Sequence, residues 1–162
     1  MALRTIREMG DEILNKKCKP IKEMTGKIET LIEDMLETMY DAQGVGLAAP
    51  QIGILKRLVV IDITEEGDNP IILINPEVVE TDGEQNGTEG CLSVPGKVGY
   101  VTRPQYVKVK ALNEDMEEIE IEGTDLLARA LMHEIDHLDG HLYVEKVEGK
   151  LYNVEDLMED EE

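Results

Sequence analysis

The chain has 162 residues, 41% of them hydrophobic, with two cysteines and no phenylalanine or tryptophan; this suits one globular domain and excludes a collagen-like, disulfide-scaffold or wholly disordered chain. Sixteen basic against 36 acidic residues leave a net charge of −20, a field that repels phosphate backbones and argues against binding DNA. No stretch approaches the roughly 18 apolar residues of a membrane span, and Met1 to Gly10 has no apolar signal region, so one domain over residues 1–162 in the reducing cytoplasm is expected.

The charge is uneven. Residues 1–27 carry seven basic and four acidic residues, whereas the remaining 135 carry nine and 32. The core has to be built from Ile, Leu, Val and Met. The first helix is expected near residues 27–42, where Ile28, Leu31, Ile32, Met35, Leu36, Met39 and Tyr40 recur at helical spacing. Glu29, Glu33, Asp34 and Glu37 fill the opposite face, Thr25 caps the start and Gly44 stops the helix. An uncharged, glycine-rich segment, Gly44 to Gln51, follows. Leu58 to Ile63 and Ile71 to Ile74 read as buried strands, and Glu80 to Gly99 reads as a long loop with a cysteine in it.

Val107, Val109 and Ala111 alternate with Lys108 and Lys110, and Ile119 and Ile121 alternate with Glu118, Glu120 and Glu122. This is a hairpin turning at Asn113-Glu114-Asp115, its Lys and Glu rows facing each other. A second helix runs from an N-cap at Thr124 to a stop at Gly140. Leu151, Val154, Leu157 and Met158 predict a C-terminal helix that frays into an acidic tail over about 156–162. The pattern is α+β: antiparallel β-sheets packed around a central helix, with an N-terminal and a C-terminal helix.

All three histidines lie within nine residues, at 133, 137 and 141. Four residues advance a helix by about 400°, so His133 and His137 project from one face and can share a divalent metal. Glu134, beside the first of them, reaches a water activated by that metal. His141 falls past Gly140 and reads as an ordinary loop residue. A catalytic site wants a third protein ligand and an open fourth position. Cys91 is the candidate, in the glycine-rich Glu89-Gly90-Cys91-Leu92-Ser93; a buried structural thiol is the other reading, and Cys18 takes that one. A thiolate with two imidazoles suits Zn²⁺, Fe²⁺ or Ni²⁺. Gln51 offers a side-chain amide for a developing oxyanion. Asp136 either orients a histidine or faces solvent, and Arg103 pairs with Glu89 on charge sign alone.

Taken together, Gly44-Val45-Gly46-Leu47-Ala48-Ala49-Pro50-Gln51, Glu89 to Ser93 and His133-Glu134-Ile135-Asp136-His137-Leu138-Asp139-Gly140 resemble, in order and spacing, the bacterial peptide deformylases in their short form. One departure is Met132, where that family usually has a glutamine that supports its neighbours by hydrogen bonding. The resemblance implies Cys91, His133 and His137 as metal ligands and Glu134 as the catalytic acid/base. It implies Gln51 and the Leu92 N–H as oxyanion donors, Val45, Gly46 and Gly90 as substrate-lining positions, and Leu126 as a wall of the methionine pocket. It further implies one Fe²⁺, replaceable by Ni²⁺, Co²⁺ or Zn²⁺, a monomer, and removal of the formyl group from N-formylmethionyl nascent peptides.

Two other functions fit parts of the pattern. A zinc endopeptidase of the His-Glu-x-x-His type accounts for His133, Glu134 and His137 but not for Cys91. A non-enzymatic metal-binding module would close all four positions and leave Glu134 without a role. The last eight residues carry six acids and no base, so if the chain contacts the ribosome, residues 1–27 are the end expected to do so.

Overall fold

Thr25 caps the first helix: its Oγ1 accepts from the Ile28 N–H at 3.3 Å, and α1 runs over Gly26–Asp41 in the computed structural model, which describes residues 2–155. Ile28, Leu31, Ile32, Met35 and Met39 are buried as the periodicity requires. Two positions depart from the pattern. Asp34 is buried, because the N-terminal segment lies over it: Arg4 pairs with its carboxylate at 2.8 Å and the Ala2 N–H donates at 2.7 Å. The left-handed residue after the helix is Gln43 (φ 59°) instead of Gly44, whose N–H returns to Met39 O at 3.0 Å.

Among the described residues these elements follow: β1 (Gly46–Ala48), β2 (Leu58–Ile61), β3 (Ile71–Asp82), β4 (Gln85–Cys91), β5 (Val94–Arg103), β6 (Tyr106–Leu112), β7 (Glu118–Thr124), α2 (Asp125–Leu138) and β8 (Glu148–Asn153). β1, β2, β3, β6 and β7 make one antiparallel sheet in that order, and β4, β5 and β8 a second. The five-stranded sheet lies between the two helices. Along β2, Val59 and Ile61 join Leu131, Ile135 and Leu138 of α2, while Leu58 and Val60 join Leu31 and Met35 of α1. The period-2 alternation of a strand thus serves two cores.

The long loop expected over Glu80 to Gly99 is instead the end of β3, all of β4 and half of β5. Its residues do not alternate apolar with polar, so pattern reading misses it. Backbone pairing holds it, Gln85↔Arg103 through Thr88↔Tyr100 to Cys91↔Val94, which turns the chain at Leu92-Ser93. In the β6–β7 hairpin Lys108 and Lys110 do face the Glu row; their Nζ atoms lie diagonally, 3.5 Å from Glu120 and 3.3 Å from Glu118. Its turn extends to Glu117, with Met116 at φ 62°.

Thr124 stands at the N-cap of α2, but its side chain makes no capping bond. The chain turns there through Asp125 at φ 52°, held by Gln105 Nε2 at 2.6 Å from its Oδ1. At the other end Gly140 (φ 85°) is obligatory, since a Cβ would lie 2.7 Å from Asn15 O. Leu151, expected on a C-terminal helix, lies in β8 and packs on Val94, Val101 and Tyr143. Val154 and Glu155 after that strand are helical, and residues 156–162, with Leu157, Met158 and the acidic tail, lie outside the described residues. Among the described residues no helix is long and apolar enough to cross a membrane.

Candidate metal centre

α2 carries its core stripe on one side and His133, Glu134 and His137, all buried, on the other. Cys91 arrives from the second sheet, at the end of β4. The three donor atoms converge: His137 Nε2 lies 3.3 Å from His133 Nε2 and 3.4 Å from Cys91 Sγ, and all three fall within 4.8 Å of one another. Ligand bonds of about 2.05 Å to nitrogen and 2.3 Å to sulfur, arranged tetrahedrally, require N···N edges of about 3.3 Å and N···S edges of about 3.6 Å. The donor set therefore fits one divalent ion and leaves a fourth position open.

A buried carboxylate orients the first imidazole. Glu89 Oε1 lies 2.7 Å from His133 Nδ1, so the ring donates there and turns Nε2 to the cluster. Glu89 also accepts from Arg103 Nη2 at 2.7 Å and Nε at 2.9 Å, and from Arg129 Nη1 at 2.6 Å. Burial alone would raise this carboxyl, but the Arg103 and His133 contacts hold it well below the usual range. Arg103 extends the network to Asp136 at 2.7 Å, which also meets Lys146 at 2.9 Å. Tyr143 stacks on the His133 ring at 5.9 Å and 28°. Burial pushes His137 well below the ordinary imidazole value, whereas at His133 burial is outweighed by Glu134, Cys91 and Glu89, which raise it well above.

Glu134 is the group set up for proton transfer. Its carboxyl is buried, Oε1 has no hydrogen-bond partner among the described residues, and burial pushes its pKa up to about 7. The backbone comes close on the far side: a Cβ on Gly46 would lie 2.5 Å from Glu134 Oε2, and one on Gly44 2.6 Å from the Leu92 side chain. Gln51, also buried, accepts from the Ala48 N–H at 2.9 Å and donates to Ser93 Oγ at 3.0 Å and Cys91 Sγ at 3.4 Å. A cleft of about 530 Å³ opens onto the cluster, bordered by Val45, Gly46, Gly90, Leu92, Leu126, His133 and Glu134.

Residues 3–151 match the sequence profile of the family described as Polypeptide deformylase. The chain belongs to that family. It is 67% identical over 162 residues to a peptide deformylase of Lachnoclostridium phytofermentans, covering 100% of this chain and 99% of that one. It is 68% identical over 154 residues to one of Agathobacter rectalis, covering 95% and 96%. Among solved structures, a peptide deformylase from Legionella pneumophila superposes with a TM-score of 0.88 at 50% identity, covering 91% of this chain and 87% of that one. One from Synechococcus elongatus, in complex with actinonin, gives 0.85 at 41% identity over 90% and 79%.

The site candidates read from this deformylase-family sequence come together around the cleft. Val45 and Leu126, 45% and 48% exposed, form its rim, and Gly46 and Glu134 its floor. Cys18 is a core thiol, pushed up to about 11 by burial. His141 is exposed beside Glu145. Met132 packs against the α2 core cluster, so no hydrogen bond is drawn from that position. Asp136 neither orients a histidine nor stands free; it holds Arg103, and Glu89 orients His133. The sequence reading missed Arg129 and Tyr143. A signal for Arg129 was present, four residues before His133 and hence on the same helix face. Tyr143 lies past the helix and carries no periodic signal.

Proposed function

We propose that this chain removes the formyl group from N-formylmethionine at the start of newly made polypeptides, releasing formate. The observation that carries the reading is Glu134, a buried carboxyl with an unpartnered oxygen beside one thiol and two imidazoles in ligand geometry. Cys91, His133 and His137 would hold one divalent ion, in our reading Fe²⁺ with Ni²⁺, Co²⁺ or Zn²⁺ able to replace it, which would supply Lewis acidity for the water and the formyl oxygen. Glu134 would take the proton of the attacking water and later deliver it to the leaving amine. The Gln51 amide, 3.4 Å from Cys91 Sγ, and the N–H of the next residue, Leu92, would donate to the oxyanion. Losing one such donor typically costs about 10²–10³ in kcat.

Val45, Gly46 and Gly90 line the path of the substrate backbone, and Leu126 walls the pocket for its first side chain. Gly44 and Gly46 bring the chain so close to Leu92 and Glu134 that formyl fits where a bulkier acyl group clashes. In our reading it works as a monomer and as one domain over 1–162, a reading supported by a cluster and cleft built from one chain. Its place is the cytoplasm, where new chains emerge; residues 1–27 are the end that would meet a ribosome.

The test is formate release from formyl-Met-Ala-Ala by metal-loaded protein, with the metal content of anaerobic preparations measured alongside. Cys91→Ser should lose metal. Glu134→Ala should keep metal and lose turnover by about 10²–10⁴-fold; equal metal with parental activity would falsify the acid/base assignment.

A further inference from the structure

Leu126, Arg129, Ala130 and His133 occupy one face of α2, and all four line the cleft. Leading away from the metal cluster, His133 gives way to the small Ala130 and then to Arg129, one turn or about 5.4 Å back along the helix. Arg129 is buried, 7% exposed. Its Nη1 donates to Glu89 Oε2 at 2.6 Å and to Val101 O at 3.1 Å, and Nη2 reaches Gln85 Oε1 only at 3.5 Å. A guanidinium carries five N–H groups, so two have no acceptor among the described residues. Gly87 lets β4 pass close to the guanidinium; a Cβ there would lie 3.2 Å from Nη2. Beside the apolar Leu126 and Ala130, the wall of the cleft thus holds spare, charged donors whose charge Glu89 balances.

We propose that Arg129 sets side-chain specificity by donating to an acceptor atom at the end of the first residue's side chain, so that the chain deformylates N-formylmethionine sulfoxide as well as N-formylmethionine. This rests on the deformylase reading above, with the first side chain lying along α2 towards Leu126. The sulfoxide keeps the unbranched shape of methionine and adds one strong acceptor oxygen. A wholly apolar pocket would strand that oxygen without a partner, at a cost that excludes the substrate. Arg129 supplies the partner. The methionine thioether is a weak acceptor, and norleucine has none.

The experiment compares kcat/KM for formyl-Met-Ala-Ala, its sulfoxide and its norleucine analogue, on metal-loaded parent, Arg129→Leu and Arg129→Lys. The parent should cleave the sulfoxide within about tenfold of the methionine peptide. In Arg129→Leu the sulfoxide-to-norleucine ratio should fall about tenfold or more, with Arg129→Lys between the two. The ratio cancels any general loss that follows from disturbing Glu89. An unchanged ratio in Arg129→Leu overturns the proposal, and so does a parent that cleaves the sulfoxide a thousandfold more slowly than norleucine. Calorimetric binding of the deformylated sulfoxide and norleucine peptides to the parent reads the same preference without turnover or any variant; tighter binding of norleucine overturns it. A parent that releases no formate from the methionine peptide removes the deformylase reading and this inference with it. Release with an unchanged ratio removes the role of Arg129 alone.

Discussion

Replacing Arg103 by methionine should lower the melting temperature by about 6–20 °C. The side chain is 2% exposed and makes three charge-assisted bonds, two to Glu89 at 2.7 and 2.9 Å and one to Asp136 at 2.7 Å. Methionine fills much of the volume, so the loss is electrostatic. Glu89 would keep Arg129 and His133 but lose half of its four donors while remaining buried. Removing one partner of such a pair typically costs about 3–5 kcal/mol, because the other charge stays uncompensated. In a chain of this size 1 kcal/mol corresponds to about 2–4 °C. The measurement belongs on metal-free protein, since bound metal adds its own stabilisation. Asp136→Asn is the control: Asp136 is partly exposed and shared with Lys146, so its loss should cost no more than about 1 kcal/mol. A change below 2 °C for Arg103→Met, or equal losses for the two variants, would refute the view that the buried Glu89 end is what Arg103 sustains.

Gly46→Ala should keep metal and fold yet lower kcat/KM at least about tenfold, because the new methyl displaces the Glu134 carboxylate; steady-state kinetics with metal analysis checks it. Asp62 gives a pH prediction: burial raises its pKa, but bonds from Thr64, Tyr40 and the Thr64 and Asn69 N–H groups outweigh that and hold it below the ordinary value. Its stabilisation is therefore complete above the unfolded value of about 3.9 and lost as pH falls through the lower folded value. The stability gap between parent and Asp62→Asn, read from urea unfolding, should be constant from pH 7 to 5 and shrink below about pH 4; a gap that grows there would contradict the sign. Alkylation of metal-free protein at pH 8 should label Cys91 and spare Cys18, whose thiol is buried and pushed up to about 11; peptide mapping distinguishes them.

The parts of the molecule legible in its sequence are those where side-chain period and burial coincide. α1 and the β6–β7 hairpin declare themselves because one face of each is wet, and α2, whose two sides are both largely buried, declares itself by its His133/His137 spacing and its end signals. The His133/His137 pair is legible because helical spacing alone places both rings together. β4 and the first half of β5 escape because Gly87, Gly90, Gly96 and Gly99 interrupt any alternation, and what holds the strands is backbone pairing. Asp34 misleads because a local pattern assigns it to water, while a segment 30 residues away covers it. The left-handed turn falls on Gln43, where propensity favours the neighbouring glycine; α1 ends at Asp41, one residue before the end expected at 42. The Glu89 network was half visible: opposite charges on Arg103 and Glu89 suggest a pair, but only the tertiary fold shows that Glu89 is shared with Arg129 and His133.

The centre joins two layers that otherwise touch little. His133 and His137 stand on α2, which packs on the five-stranded sheet, and Cys91 and Glu89 stand on β4 of the three-stranded one. Gln51, from the turn after β1, reaches across to Cys91 and Ser93. Arg103 and Arg129 reach Glu89 from β5 and α2. Arg129 and His133 tie Glu89 to α2, Arg103 ties β5 to Asp136 on the same helix, and Gln51 ties the Cys91 hairpin to the five-stranded sheet. A ligand set drawn from two independently folded pieces would leave the third donor free to wander, and a loss of alignment of about 1 Å costs roughly 10²-fold in rate. The buried ion network holds β4 in register against α2, which sets the Cys91 thiol within 3.4 Å of the His137 ring. The Glu134 carboxyl needs no such tether. Glu134 is placed by the same helix turn as His133 and by the missing side chain at Gly46, so it can remain unpartnered, which is the condition for moving a proton.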